Sequence, residues 1–100
     1  MERGGCVYIL TNSRHTVLYT GVTSDLQSRM YQHLHQSYPN SFTHRYKVYK
    51  LVYYNFFSGI EEAISEEKRI KGGSRIKKIA LIDELNLSWD DLYEKEVKLW

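Results

Sequence analysis

The chain has one cysteine, one proline and, in 100 residues, no apolar run near the length of a membrane span. The lone Cys6 excludes an internal disulfide and any zinc site built from several thiolates, and it suits a reducing compartment. No stretch approaches the roughly 20 apolar residues that cross a bilayer. The opening MERGGC, with an acid and two glycines, lacks the basic and apolar regions of a signal peptide. A cytosolic protein with no membrane partner is expected. Pro39 and six scattered glycines do not make a linker, and no repeat or low-complexity segment is visible, so one domain over residues 1–100 is expected.

A large net charge is missing as well: 14 Lys/Arg against 12 Asp/Glu leave +2. That near-balance hides two unequal parts. Residues 1–82 hold 12 Lys/Arg against 6 Asp/Glu, a net of +6, and residues 83–100 hold 2 against 6, a net of −4. All four histidines, His15, His33, His35 and His44, lie in the basic part. Such asymmetry suits a polyanionic partner; a solvated surface of uneven charge explains it equally well.

Tyrosine is what the chain has in excess, nine in all. Two of them stand in the first strand signals. Cys6–Thr11 and Thr16–Val22 are β-branched and aromatic, and the turn-forming NSRH separates them, which reads as a hairpin. If Thr11 pairs with Thr16 across a four-residue loop, Tyr8 falls directly opposite Tyr19 on one face. A one-residue slip would turn one phenol to the other face. Gly21, two residues beyond Tyr19, shares that face and leaves room for something to approach the backbone.

Ser24-Asp-Leu-Gln27 reads as a capping box opening a helix to about Gln36, with Leu26, Met30 and Leu34 on its apolar stripe. Arg29 and His33 lie one turn apart on the edge of that stripe, while His35 faces solvent. Residues 33 and 35 point to different faces, so they do not form a shared metal site. Residues 37–46 read as a loop and Lys47–Phe57 as a third strand reached by a crossover. Helices are expected over Ile60–Lys71, stopped by Gly72-Gly73, then from Ser74 to about Leu85, then from an N-cap at Ser88 toward the C-terminus. The order ββαβααα predicts an α/β (α+β) fold with a small three-stranded antiparallel or mixed sheet flanked by helices.

Glu67 breaks the pattern of its helix. At about 100° per residue it projects into the stripe of Ile60, Ala63, Ile64 and Ile70, the face expected to pack on the sheet. A buried carboxylate is paired, protonated or bound to a metal. Lys71, one turn on, is the available pair partner; a divalent ion is the other reading. Glu66 lies well off the stripe. The run KRIKGGSRIKK brings Lys68, Arg69, Lys71, Arg75, Lys77 and Lys78 around a helix start, an arrangement that suits nucleic-acid phosphate as well as a soluble surface.

Two strand tyrosines, a glycine two after the second, Arg-x-x-x-His on the next helix and a lone glutamate on a later one resemble the GIY-YIG nuclease superfamily, in its small stand-alone bacterial branch. The match runs from about Cys6 to Lys71. Cys6-Val7-Tyr8 stands for the first motif triplet, with cysteine in place of the usual glycine, and Tyr19-Thr20-Gly21 for the second. Thr23–His33 matches the following helix, and Ala63-x-x-x-Glu67 the segment with the metal-binding glutamate. The resemblance implies a metal-dependent endonuclease acting on DNA or structured nucleic acid, with one Mg²⁺ or Mn²⁺ on Glu67. It also implies that Arg29 stabilises phosphoryl charge. Tyr19, helped by His33 or by its partner phenol, would orient or deprotonate the attacking water, with Tyr8 positioning. Gly21, Lys68, Lys71, Arg75, Lys77 and Lys78 would meet the nucleic acid. Multidomain relatives attach a separate DNA-binding domain to this module, so a protein partner that supplies specificity is a further expectation. Two other readings stand beside it: a nucleic-acid-binding module with little catalysis, and an interaction protein that docks a partner through the acidic tail, residues 83–100, with Trp89 and Trp100.

Overall fold

A computed structural model describes residues 4–35 and 41–100. The expected helix end at Gln36 and the first residues of the expected 37–46 loop lie outside them. Three strands, β1 (Gly5–Thr11), β2 (Leu18–Thr23) and β3 (Lys50–Phe57), form an antiparallel sheet in the order β2-β1-β3. Because β2 and β3 both pair with the central β1, they run parallel to each other. The connection between them is therefore a crossover, as expected. It contains α1 (Leu26–His35) and a short α2 (Phe42–Tyr46). The chain then adds α3 (Ile60–Lys71), α4 (Arg75–Leu85), α5 (Leu92–Lys95) and a closing 3₁₀ turn, Val97–Leu99.

Alternation along β1 divides the core into two layers. Cys6, Tyr8 and Leu10 pack with Leu26 and Met30 of α1 and with Val48, Leu51, Leu92 and Val97. Val7 and Ile9 pack on the other face with Ala63 and Ile70 of α3, Ile82 of α4, and Val52 and Tyr53. Neighbours in sequence share a face at Val52 and Tyr53 because β3 bulges there: Ile9 pairs with Tyr53, but Leu10 pairs with Leu51, leaving Val52 extra.

The hairpin register differs from the expected one. Tyr8 pairs with Gly21 and Leu10 with Tyr19, an offset of two residues. The cause is a wider loop, residues 12–17. Asn12 Oδ1 accepts from the amides of Thr16 (2.8 Å) and Val17 (3.2 Å), and His15 turns through a left-handed φ of 59°. An even offset preserves the face, so Tyr8 and Tyr19 remain on the same side.

Four further local expectations are corrected. Asp25, not Ser24, caps α1, its Oδ1 accepting from Ser28 N at 3.2 Å. Gln27 is thereby released from a capping box, and its amide donates to the carbonyls of Val97 (3.2 Å) and Trp100 (2.9 Å), tying down the C-terminal end. Within the expected loop, residues 42–46 form α2, capped by Ser41 Oγ accepting from His44 N and closed by Lys47 at φ 54°, which delays β3 to Lys50. Ser88 does not open the last helix. Asn86 holds the 86–90 segment through Val52 O (3.2 Å) and Asp90 (2.9 and 3.1 Å), Trp89 takes φ 54°, and α5 begins after Asp91. No helix among the described residues is long and apolar enough to cross a membrane.

Candidate active site at the mouth of the Tyr8 face

The capped start of α1 aims Arg29 and His33 back over the sheet face that carries the two tyrosines. His33 Nε2 lies 3.1 Å from Tyr8 Oη, and Arg29 Nε donates to the same oxygen at 3.4 Å. The guanidinium can only donate, while the phenol can both accept from it and exchange a hydrogen bond with His33 in the direction that the imidazole tautomer sets. The Tyr8 and Tyr19 rings lie 6.4 Å apart, and each meets the His33 ring edge-on at 5.9 and 6.1 Å. Four of the residues singled out from the sequence are thus one contact group.

Burial sets their protonation. Tyr8 is 1 % exposed, and burial pushes its phenol up to about 12 against the pull of the Arg29 hydrogen bond. Burial first, and the Arg29 charge second, lower His33 to about 4, so the imidazole is neutral at neutral pH. The Tyr8 hydrogen bond holds Arg29 more firmly in its charged form.

Gly21 sits against the Tyr8 ring. A Cβ there would stand 2.5 Å from both Cζ and Oη of Tyr8. The room expected above Gly21 is filled by the phenol itself, with no space for an outside group, because the register places the two residues opposite each other. Gly21 therefore shapes the cluster from below.

Tyr19, Arg29 and His33 open onto a cleft of about 150 Å³ that is also lined by Gln32, Ser41, Phe42 and Thr43. The residues contributed by 41–43 were missed because the segment reads as loop. The S-x-x-H signal of Ser41 and His44 marks the helix start only once His44 N is seen to donate to Ser41 Oγ.

Glu67 lies on α3, the helix packed against the other face of the sheet. Its side chain is 12 % exposed, as the stripe predicted, and Lys71 Nζ stands 2.9 Å from Oε2. No hydrogen bond or ion pair among the described residues links Glu67 to the Tyr8 cluster. Glu66 is less solvated than its helical phase suggested: it accepts two 2.6 Å hydrogen bonds from Arg69. Arg75 donates to His15 O at 3.0 Å. Lys68, Lys77 and Lys78 have no ion-pair partner among the described residues. The tail residues are used internally: Trp89 Nε1 donates to Asp83 (2.7 Å) and stacks on His15, and Trp100 packs on Tyr54 and Phe56.

Comparison with known proteins identifies the family. The model of the GIY-YIG catalytic domain matches residues 4–80, which contain the whole sheet, the cleft and Glu67. The chain belongs to the GIY-YIG family. It is 37% identical over 93 residues to a UPF0213 protein of Clostridium perfringens, covering 93% of this chain and 97% of that one. It is 28% identical over 99 residues to a UPF0213 protein of Bacillus pumilus, covering 99% and 100%. The solution NMR structure of a UPF0213 protein from Bacillus halodurans superposes with a TM-score of 0.56 at 26% identity, over 92% of this chain and 96% of that one.

GIY-YIG nucleases generally use a divalent metal, and this chain's donors can be tested against that need. No cluster of three or more His, Cys, Asp or Glu suited to a metal occurs among the described residues. One carboxylate still fits a hard cation that keeps most of its waters and takes phosphate oxygens as further ligands. Glu67 is the residue that would meet that requirement: it is shielded, and Lys71, its ion-pair partner among the described residues, is itself half exposed.

Proposed function

We propose that this GIY-YIG protein is an endonuclease that hydrolyses phosphodiester bonds in DNA or structured nucleic acid. The observation that carries the reading is the convergence of two phenols, a neutral imidazole and a guanidinium on one small cleft. Hydrolysis forms a bond between a water oxygen and phosphorus and breaks the bond to the 3′ oxygen, which takes up a proton. The chain must therefore supply positive charge at the phosphoryl oxygens and a group that orients and deprotonates water.

Arg29 supplies the charge: its guanidinium is at the cleft and is presented by the Tyr8 hydrogen bond. Tyr19 is the phenol that lines the cleft, so it is assigned to the water. Tyr8, buried beneath Arg29 and His33, is a positioning residue. Its hydroxyl holds the His33 ring and the Arg29 head together. Glu67 would hold one Mg²⁺ or Mn²⁺, which when bound polarises the phosphate and assists the leaving oxygen. Lys68, Lys77 and Lys78 extend the positive surface toward the polyanion.

The test is cleavage of plasmid, single-stranded and branched DNA in Mg²⁺ or Mn²⁺, beside Glu67→Ala, Tyr19→Phe and Tyr8→Phe. Metal-dependent cuts that disappear in Glu67→Ala support the proposal. Tyr19→Phe is expected to remove single-turnover cleavage, and Tyr8→Phe to weaken it and shift its pH profile. Loss with Tyr8→Phe alone would exchange the two phenol roles. Absence of cutting with salt-sensitive binding retained would favour a binding module, the reading in which Glu67 serves only as the ion-pair partner of Lys71.

A further inference from the structure

An aromatic ladder leaves the cleft and runs out over α2. Phe42 lies 5.8 Å from the Tyr19 ring at 30°, and Tyr46 lies 4.7 Å from Phe42 at 45°. Phe42 is 44 % exposed and Tyr46 45 % exposed. The buried residue of this short helix is Thr43, so the two rings on its outer side contribute little to the core. Arg45, exposed on the same short helix, and Arg29 at the cleft are the nearby cations.

Large apolar rings kept at a polar surface beside a catalytic cleft mark a contact surface for a flat apolar ligand. A duplex presents its phosphates outward and hides the base faces, so exposed rings gain little from it. Unpaired bases present those faces, and aromatic side chains with neighbouring cations bind them by stacking. We infer that Phe42 and Tyr46 form a stacking platform for unpaired bases, which leads a single-stranded segment into the cleft at Tyr19. The inference rests on the nuclease reading for the cleft's contents, and it names the substrate class: nucleic acid with a single-stranded stretch beside the cut.

Binding without metal tests it apart from catalysis. The affinities of a labelled oligothymidylate, its duplex and an abasic strand of the same length are measured in EDTA at one salt concentration. Phe42→Ala and Phe42→Tyr are measured beside the parent. Phe42→Ala is expected to weaken the oligothymidylate by about tenfold and to leave the duplex unchanged. Phe42→Tyr should restore most of the affinity. The abasic strand should bind the parent weakly and be indifferent to Phe42→Ala. Equal losses on strand and duplex, or a loss that persists on the abasic strand, would overturn the platform. Since no cutting is read, an inactive but base-stacking protein fails only the nuclease proposal, and an active one with Phe42 indifferent fails only this one.

Discussion

Gly21→Ala gives the sharpest check on how the cleft is built. The added methyl would stand 2.5 Å from Tyr8 Cζ and Oη, and the backbone at Gly21 has no left-handed φ to add strain of its own. The clash is therefore entirely one of space. To reach ordinary contact at about 3.5 Å, the phenol or the strand must move by about 1 Å. Tyr8 is fully buried between β2 and the Arg29–His33 pair, so its ring cannot swing into solvent. Pushed off Gly21, the hydroxyl is driven against the Arg29–His33 pair, and a displacement of that size cannot keep the 3.1 Å geometry with His33 unless α1 yields. Overpacking of this kind costs about 1–3 kcal/mol. At about 4–8 °C per kcal/mol for a chain of this length, the melting midpoint should fall by 4 °C or more. NMR titration of the histidines should show His33 rising from about 4 toward its ordinary value, as water reaches the ring. The double variant Tyr8→Leu/Gly21→Ala isolates the clash, since leucine lacks the far ring atoms; there Gly21→Ala should cost little. A Gly21→Ala protein with parental stability and unchanged His33 titration would refute the packing of Tyr8 on Gly21.

The remaining predictions concern protonation, metal and the sheet edge. His33 is held below its unfolded value, so between its ordinary value and about 4 the unfolded chain binds more protons, and stability falls as the pH drops through that window. Parent and His33→Gln melting midpoints from pH 7 to pH 5 should therefore converge; parallel curves would contradict the burial of the imidazole. Glu67→Gln breaks a pair whose lysine is half exposed, so without metal its cost should stay within about 1 kcal/mol. A Mg²⁺- or Mn²⁺-dependent rise in the midpoint should vanish in that variant, and a rise that survived would place the ion elsewhere. Asp91 Oδ1 accepts from Leu51 N on the β3 edge (3.3 Å) and from Tyr93 N at the start of α5 (3.1 Å). Asp91→Ala should cost about 1–2 kcal/mol and speed hydrogen exchange at Leu51, whereas loss at Tyr93 alone would show that the edge contact is dispensable.

Residue type and spacing were enough for much of this protein. Alternation gave the hairpin and third strand, the glycine pair gave the end of α3 at Lys71, and helical phase put Glu67 on the packed side of α3. Periodicity depends only on positions along one element, so one chain suffices to read it. The motif residues Tyr8, Tyr19, Arg29 and His33 were legible for the same reason, each being fixed by its own strand or helix. What the sequence left open were quantities that two elements share. Register depends on how a loop closes, and Asn12 closes this one wider than a four-residue turn. Capping depends on which side chain is released by other contacts: Gln27 is drawn to the C-terminal carbonyls and Asp25 caps instead. Ile60 and Leu34, apolar and in phase with their stripes, remain partly exposed because each stands at a helix end. The placement of α2, and with it Phe42 in the cleft, follows from packing against Tyr19 across more than twenty residues of chain. Whether the space above Gly21 is open or filled was decided in the same way, because only the tertiary register determines which ring lies there.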